Sequence, residues 1–361
     1  MLDTITESNL FLPLLFFMKK SKDFIKSWEK FFKSIGLPEV MISEYVSYIV
    51  PLIEKDLPII FEINHLSKLL GRKQSYLTSV AFGSEKHYRT FEIPKKSGGV
   101  RIISSPYPAL LECQYWIYNN ILSKVQVHNS AQAYVSDRSI ITNAKIHIGN
   151  KLFLKIDLKD FYSSIKRPRI VWAFRALGYA ENVSFLLASL CCKEQCLPQG
   201  APTSPVLSNI ISYHLDVRLS NLSKKLGIVY SRYADDMAFS GDNFTPHIIR
   251  YIEKIINAEG FEINHKKTIF QIGEGKRILT GISIAEDVIK IPREYKRKLR
   301  QEVHYIFQHG VISHMNKTKI KNPYYLKSIS GKLGFWISVE PNNTFAKAAR
   351  LKINEMIEKY K

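Results

Sequence analysis

The chain has 361 residues, enough to bury sizeable cores in two or three domains or subdomains, and its 45% hydrophobic and 12% aromatic content excludes a disordered or low-complexity protein. Fifty-two Lys and Arg against 32 Asp and Glu leave a net charge of +20, and a surplus that large points to a polyanionic partner, most simply nucleic acid. Four cysteines, Cys113, Cys191, Cys192 and Cys196, lack paired zinc-ligand spacing and read as reduced thiols. The apolar run 10–18 is broken by Pro13, preceded by Asp3 and Glu7, and too short to span a bilayer. These features predict a cytoplasmic protein with no membrane partner.

Residues 1–70 read as an N-terminal helical extension, with Phe24, Trp28, Phe31, Phe32 and Ile35 on one face and Gly36 ending the run. Residues 91–103 read as a β-hairpin around Ser97-Gly98-Gly99, and residues 110–127 as a helix. The run 152–156, apolar but for Lys155, reads as a buried central strand leading into Asp157. A helix over 168–177 closes at Gly178, and a longer one over 206–222 ends by Gly227. Apolar runs 228–230 and 237–239 flank an acidic turn formed by Asp235-Asp236. Thr245-Pro246 starts a helix that Gly260 closes, and 261–263 and 278–284 read as short strands. From about residue 290 the chain is basic and helical, with 16 Lys and Arg against 5 Glu, which makes it the predicted duplex-holding element. The class is α+β: a palm-like antiparallel sheet with helices packed on one side.

Asp157 stands 78 residues before Asp235, at the end of the buried strand. A buried carboxylate is costly unless it is paired or metal-bound. If that strand lies beside the acidic hairpin, Asp157, Asp235 and Asp236 form a cluster suited to two Mg²⁺ ions about 4 Å apart, the arrangement for in-line displacement at phosphorus. Asp160 reads as a helix N-cap instead.

Tyr233-Ala234-Asp235-Asp236, the upstream stretch Leu154-Lys155-Ile156-Asp157-Leu158-Lys159-Asp160-Phe161-Tyr162, and Gln199-Gly200-Ala201-Pro202-Thr203-Ser204-Pro205 between them together resemble a reverse transcriptase. The resemblance spans roughly residues 91–284. It implies a right-hand polymerase fold, with fingers and palm over 71–284 and a basic helical thumb over 285–361 that binds RNA. It implies that Gln199 and Gly200 border the incoming nucleotide and template, and that Tyr162 is the steric gate against a 2′-OH. Lys95 and Arg101 would hold the triphosphate of a dNTP, and Lys267 would donate a proton to pyrophosphate. In the thumb, Lys296, Arg297 and Lys298 are the expected RNA contacts.

Asn143-Ala144-Lys145-Ile146-His147 resembles the Asn-Ala-x-x-His element of bacterial retron enzymes, and Leu279-Thr280-Gly281 resembles their Val-Thr-Gly element with Leu in place of Val. These matches imply RNA-binding roles for Asn143, His147, Thr280 and Gly281. No RNase H, maturase or endonuclease domain is visible. Retron enzymes copy part of a structured noncoding RNA into single-stranded DNA, priming from a 2′-OH to leave a branched RNA–DNA molecule. They act in antiphage defence, usually with a separate effector protein. The rival readings are another defence reverse transcriptase of the abortive-infection kind and a catalytically silent RNA-binding scaffold. A scaffold gains nothing from three mutually repelling carboxylates.

Overall fold

A computed structural model describes residues 22–95, 98–273, 277–285 and 287–359; the apolar run 10–18 and the turn residue Ser97 lie outside them. Helices α1 (Lys22–Ser34) and α2 (Glu39–Glu54) meet through an aromatic cluster in which Trp28, Phe32, Tyr45 and Phe61 are buried, as the one-sided apolar face of α1 predicts. Helices α3 (Ile63–Leu70) and α4 (Gln74–Phe82) follow, then the hairpin β1 (Tyr88–Pro94) and β2 (Val100–Pro106). Helix α5 (Pro108–Asn120) stops short of the expected residue 127, because the chain tightens into a single 3₁₀ turn at Leu122–Lys124. A reciprocal cap between Ser139 and Thr142 starts α6 (Ile140–Lys145).

Strand β3 (Leu152–Asp157) runs into the short α7 (Phe161–Ser164), followed by α8 (Arg167–Leu177), which ends on a left-handed Gly178, and α9 (Glu181–Cys191). Asp160 does occupy the N-cap position of α7, but its backbone is left-handed and its side chain makes no capping bond. The expected long helix over 206–222 is two, α10 (Ser204–Ile211) and α11 (Tyr213–Lys225), because the backbone leaves helical geometry at Ser212, with ψ 4°. Strands β4 (Val229–Tyr233) and β5 (Asp236–Gly241) precede α12 (Ile248–Ala258).

The expected strand 261–263 is irregular; regular pairing with β3 passes instead to β6 (Ile269–Ile272). The expected strand over 278–284 is a hairpin, β7 (Arg277–Leu279) and β8 (Ile282–Ile284), joined by β9 (Ile289–Lys290). Its turn is Thr280-Gly281, both with positive φ. Four helices close the chain: α13 (Arg293–His309), α14 (Val311–Lys317), α15 (Tyr325–Val339) and α16 (Thr344–Lys359).

The chain forms two compact units and passes repeatedly between them. The first contains the described residues through Asn129, with Leu158–Val217 and Lys254–Glu262. The second contains Ser130–Asp157, Arg218–Glu253 and the described residues from Ile263 onward. Within the second unit lies an antiparallel sheet in the order β4-β5-β3-β6, so β3 is an interior strand, as its apolar sequence predicts. The same unit buries Phe153 and Ala238 in one core with Leu299, Ile329, Leu333 and Trp336 of the C-terminal helices.

Candidate active site

The two-residue turn between β4 and β5 is Ala234-Asp235, not Asp235-Asp236. Asp236 is the first residue of β5, paired with Tyr233 on one side and with Asp157 on the other. The reason lies in the backbone: Ala234 takes the left-handed conformation, φ 56°, and turns the chain one residue earlier than composition indicated. Arg232, fully buried, donates from Nη1 to the Ala234 carbonyl at 3.2 Å and holds that turn from behind.

Asp157 and Asp236 therefore face each other across adjacent strands, a like-charge pair that costs stability unless positive charge is supplied. Two lysines supply it. Lys267 Nζ lies 3.0 and 3.1 Å from the two carboxylate oxygens of Asp157, and Lys155 Nζ lies 2.9 Å from Asp236 Oδ1. Asn264 adds a hydrogen bond from Nδ2 to Asp157 Oδ1 at 3.1 Å and one from its backbone amide to the Asp157 carbonyl. Among the described residues no cation forms an ion pair with Asp235. Burial, then the charges of Asp236 and Asp157, push its pKa from 3.8 up to about 6. The hydrogen bond to Asp157 raises the pKa of Lys267, so this lysine stays charged.

Oxygen donors and concentrated negative charge suit a hard divalent cation. Among the described residues no three His, Cys, Asp or Glu side chains form a ready-made metal cage, and the two lysines occupy carboxylate oxygens that a cation would use. The donor set fits the ion once those side chains swing away; Lys267, 57% exposed, is free to do so.

Sequence reasoning missed Lys155, Asn264 and Arg232. Lys155 carried a signal: it is the one charged residue before Asp157 in an apolar strand, two positions away and so on the same face.

In the first unit, Lys95 and Arg101 are exposed on the β1–β2 hairpin. The Gln199 carbonyl accepts from the Ser104 amide of β2 at 2.8 Å. Gly200, φ 122°, sits so close that a Cβ would come within 2.8 Å of Ile103 and 2.9 Å of the Ser104 carbonyl, so only glycine fits. Tyr162 is half-buried in α7, its ring 5.5 Å from that of Phe161.

Two expectations for RNA contact need correction. Asn143 and His147 are both 0% exposed, with partners inside the protein, so neither can touch RNA from this position. Lys296 is committed to Glu340 at 2.6 Å and lies over the Trp336 ring, whereas Arg297 and Lys298 are exposed. Gly281 is exposed at the β7–β8 turn, and Thr280 is half-buried, its hydroxyl without a partner among the described residues. Reversing Arg297 and Lys298 to Glu is expected to weaken binding of single-stranded RNA and to flatten its dependence on salt by about 0.7 log unit per lost phosphate contact. An unaltered slope would put both on the solvated back of α13.

The reverse transcriptase (RNA-dependent DNA polymerase) family matches residues 93–320. Retron Ec86 reverse transcriptase of Escherichia coli is 32% identical over 255 residues, covering 70% of this chain and 80% of its own. This chain is a reverse transcriptase of the bacterial retron type. Retron Mx162 reverse transcriptase of Myxococcus xanthus is 34% identical, over 66% of the enzyme and 57% of that relative, so the match spans little more than half of the longer protein. Among solved structures, a foamy viral protease-reverse transcriptase bound to double-stranded DNA shares 18% identity over 69% of the enzyme and 36% of its own chain, with a TM-score of 0.38. The matched span contains the antiparallel β4-β5-β3-β6 sheet, the palm of the right-hand fold expected for this family. No described helix is long and apolar enough to cross a membrane.

Proposed function

We propose that this retron-type polymerase copies part of a structured noncoding RNA into single-stranded DNA from dNTPs, and that Asp157, Asp235 and Asp236 hold two Mg²⁺ ions at the reaction centre. The observation that carries this reading is Asp157 directly opposite Asp236, with a second cationic requirement at Asp235. When bound, the ions lower the pKa of the attacking hydroxyl and neutralise charge on the leaving pyrophosphate. Lys267, held charged beside Asp157, would give a proton to that pyrophosphate once it leaves the carboxylate. Gln199 and Gly200 shape the nucleotide's position, Lys95 and Arg101 bind its triphosphate, and Tyr162 excludes a 2′-OH. Arg297 and Lys298, with the Thr280-Gly281 turn, are the proposed RNA contacts.

The nucleophile is proposed to be a ribose 2′-OH of the same RNA. A 2′-OH and a 3′-OH differ little in intrinsic reactivity, so orientation by folded RNA supplies the choice. The setting is cytoplasmic antiphage defence with a separate effector protein. Expressed with its native noncoding RNA, the enzyme is expected to yield short DNA that stays joined to RNA after proteolysis. A debranching enzyme should then release it with a new 5′ end. DNA made only from an added 3′-OH primer would rule out self-priming and leave the polymerase assignment standing.

A further inference from the structure

The Asn143–His147 segment touches the hairpin that carries two of the carboxylates. His147 Nε2 lies 2.7 Å from Ser231 Oγ on β4, and its Nδ1 lies 2.7 Å from Ser240 Oγ on β5. Ser231 stands opposite Ala238 and Ser240 opposite Val229, so the two hydroxyls share one face of the hairpin. All three residues are fully buried.

The direction of each bond follows from counting protons. Ser231 donates its only hydroxyl proton to Asn143 Oδ1 at 2.7 Å, so it must accept from His147, whose Nε2 is then the protonated nitrogen. Nδ1 is left to accept the proton of Ser240, and Ser240 accepts in turn from Asn150 Nδ2 at 3.0 Å. The chain of donation runs one way, from Asn150 through Ser240, His147 and Ser231 to Asn143. It requires a neutral imidazole, and burial pushes the His147 pKa down to about 3.

This arrangement reads strand register. Side chains alternate along a strand, so a slip of one residue would turn a serine to the other face and leave a buried imidazole nitrogen unpaired. The same slip on β5 would carry Asp236 away from its place opposite Asp157.

We propose that His147, with Ser231 and Ser240, is a register lock: a positioning device that holds β4 and β5 so that Asp235 and Asp236 meet Asp157. The inference rests on the polymerase reading above for its effect on rate, and its test separates the two. Single-turnover addition of one dNTP to a DNA primer on an RNA template gives the rate per active molecule, and the burst amplitude gives the active fraction. His147→Leu, which keeps bulk and removes both bonds, is expected to slow the rate about 10²-fold, the scale of a misplacement of about 1 Å. Amplitude and RNA affinity should stay within about twofold of wild type, as for a change in position rather than folding. His147→Gln keeps one donor and one acceptor and should recover most of the rate.

Ser231→Ala and Ser240→Ala each remove one of the two bonds to His147 and should slow it about 2- to 10-fold; they carry the test if His147→Leu does not fold. A reduced amplitude with an unchanged rate per active molecule in these variants would make the network merely structural and overturn the lock. An inactive wild-type protein would sink the polymerase reading instead. The lock is then judged by the ¹⁵N shifts of the His147 ring: a neutral Nε2–H tautomer supports it, and a charged or Nδ1–H ring overturns it.

Discussion

Asp235→Asn should abolish nucleotide incorporation and, at the same time, stabilise the metal-free protein. Loss of rate should reach roughly 10³-fold or more, on the order of 4 kcal/mol of transition-state stabilisation. Stability moves the other way because Asp235 is ionised against burial and two like charges, which lift its pKa to about 6 from 3.8. The folded state therefore binds more protons than the unfolded one between those values, and wild-type stability falls as pH rises through that window. Asn has no such penalty. The gain in Tm of the variant over wild type should be absent at pH 3.5, open between about pH 4 and 6, and persist above. Adding Mg²⁺ at pH 8 should raise the wild-type Tm and close the gap, since binding to the folded state alone stabilises it. Thermal melts with and without Mg²⁺, beside a primer-extension assay, decide the matter. Wild-type rates, or a variant less stable than wild type at pH 8 without metal, would remove Asp235 from the metal-binding set.

Trp336→Ala is expected to cost about 3–5 kcal/mol, the range for deleting a buried aromatic side chain. The ring is 0% exposed in the core of the C-terminal helices, 5.8 Å from the Phe345 ring, with the Lys296 and Arg300 cations over its face. Its Nε1 donates to Glu340 Oε2 at 3.1 Å, and Glu340 Oε1 accepts from the Ile291 amide and from Lys296. Burial pushes the Glu340 pKa up, but these hydrogen bonds outweigh it and hold it below the usual range. Truncating the tryptophan leaves a cavity and loosens the carboxylate that ties α13 and α15 to the end of β9. Tm should fall by roughly 10 °C. Trp336→Phe keeps most of the volume and should fall less. A melt unchanged by Trp336→Ala would mean that this core is not what holds the C-terminal helices.

Much of the palm was legible because its signals are local. The run 152–156 is apolar at every position except Lys155, which only an interior strand tolerates, and it places Asp157 where a carboxylate needs cationic help. The one-sided aromatic face of α1 and the stop at Gly178 were equally plain, since a helix's period and its left-handed end are written in adjacent residues.

Tertiary structure decided the rest, wherever a residue's role depends on what faces it from elsewhere in the chain. Ala234, not Asp235, takes the left-handed position, and that single step puts Asp236 into β5 opposite Asp157. Strand β6 has no alternation to betray it and pairs with β3 because an interior strand needs two partners for its backbone groups. His147 and Asn143, legible as a motif, take their meaning from Ser231 and Ser240, more than 80 residues away. Lys296, Arg297 and Lys298 look alike in sequence, and only the placement of Glu340 and Trp336 withdraws the first from solvent. Period and turn chemistry act over a few residues and can be read directly; burial and charge pairing are properties of the folded neighbourhood, which no short stretch contains.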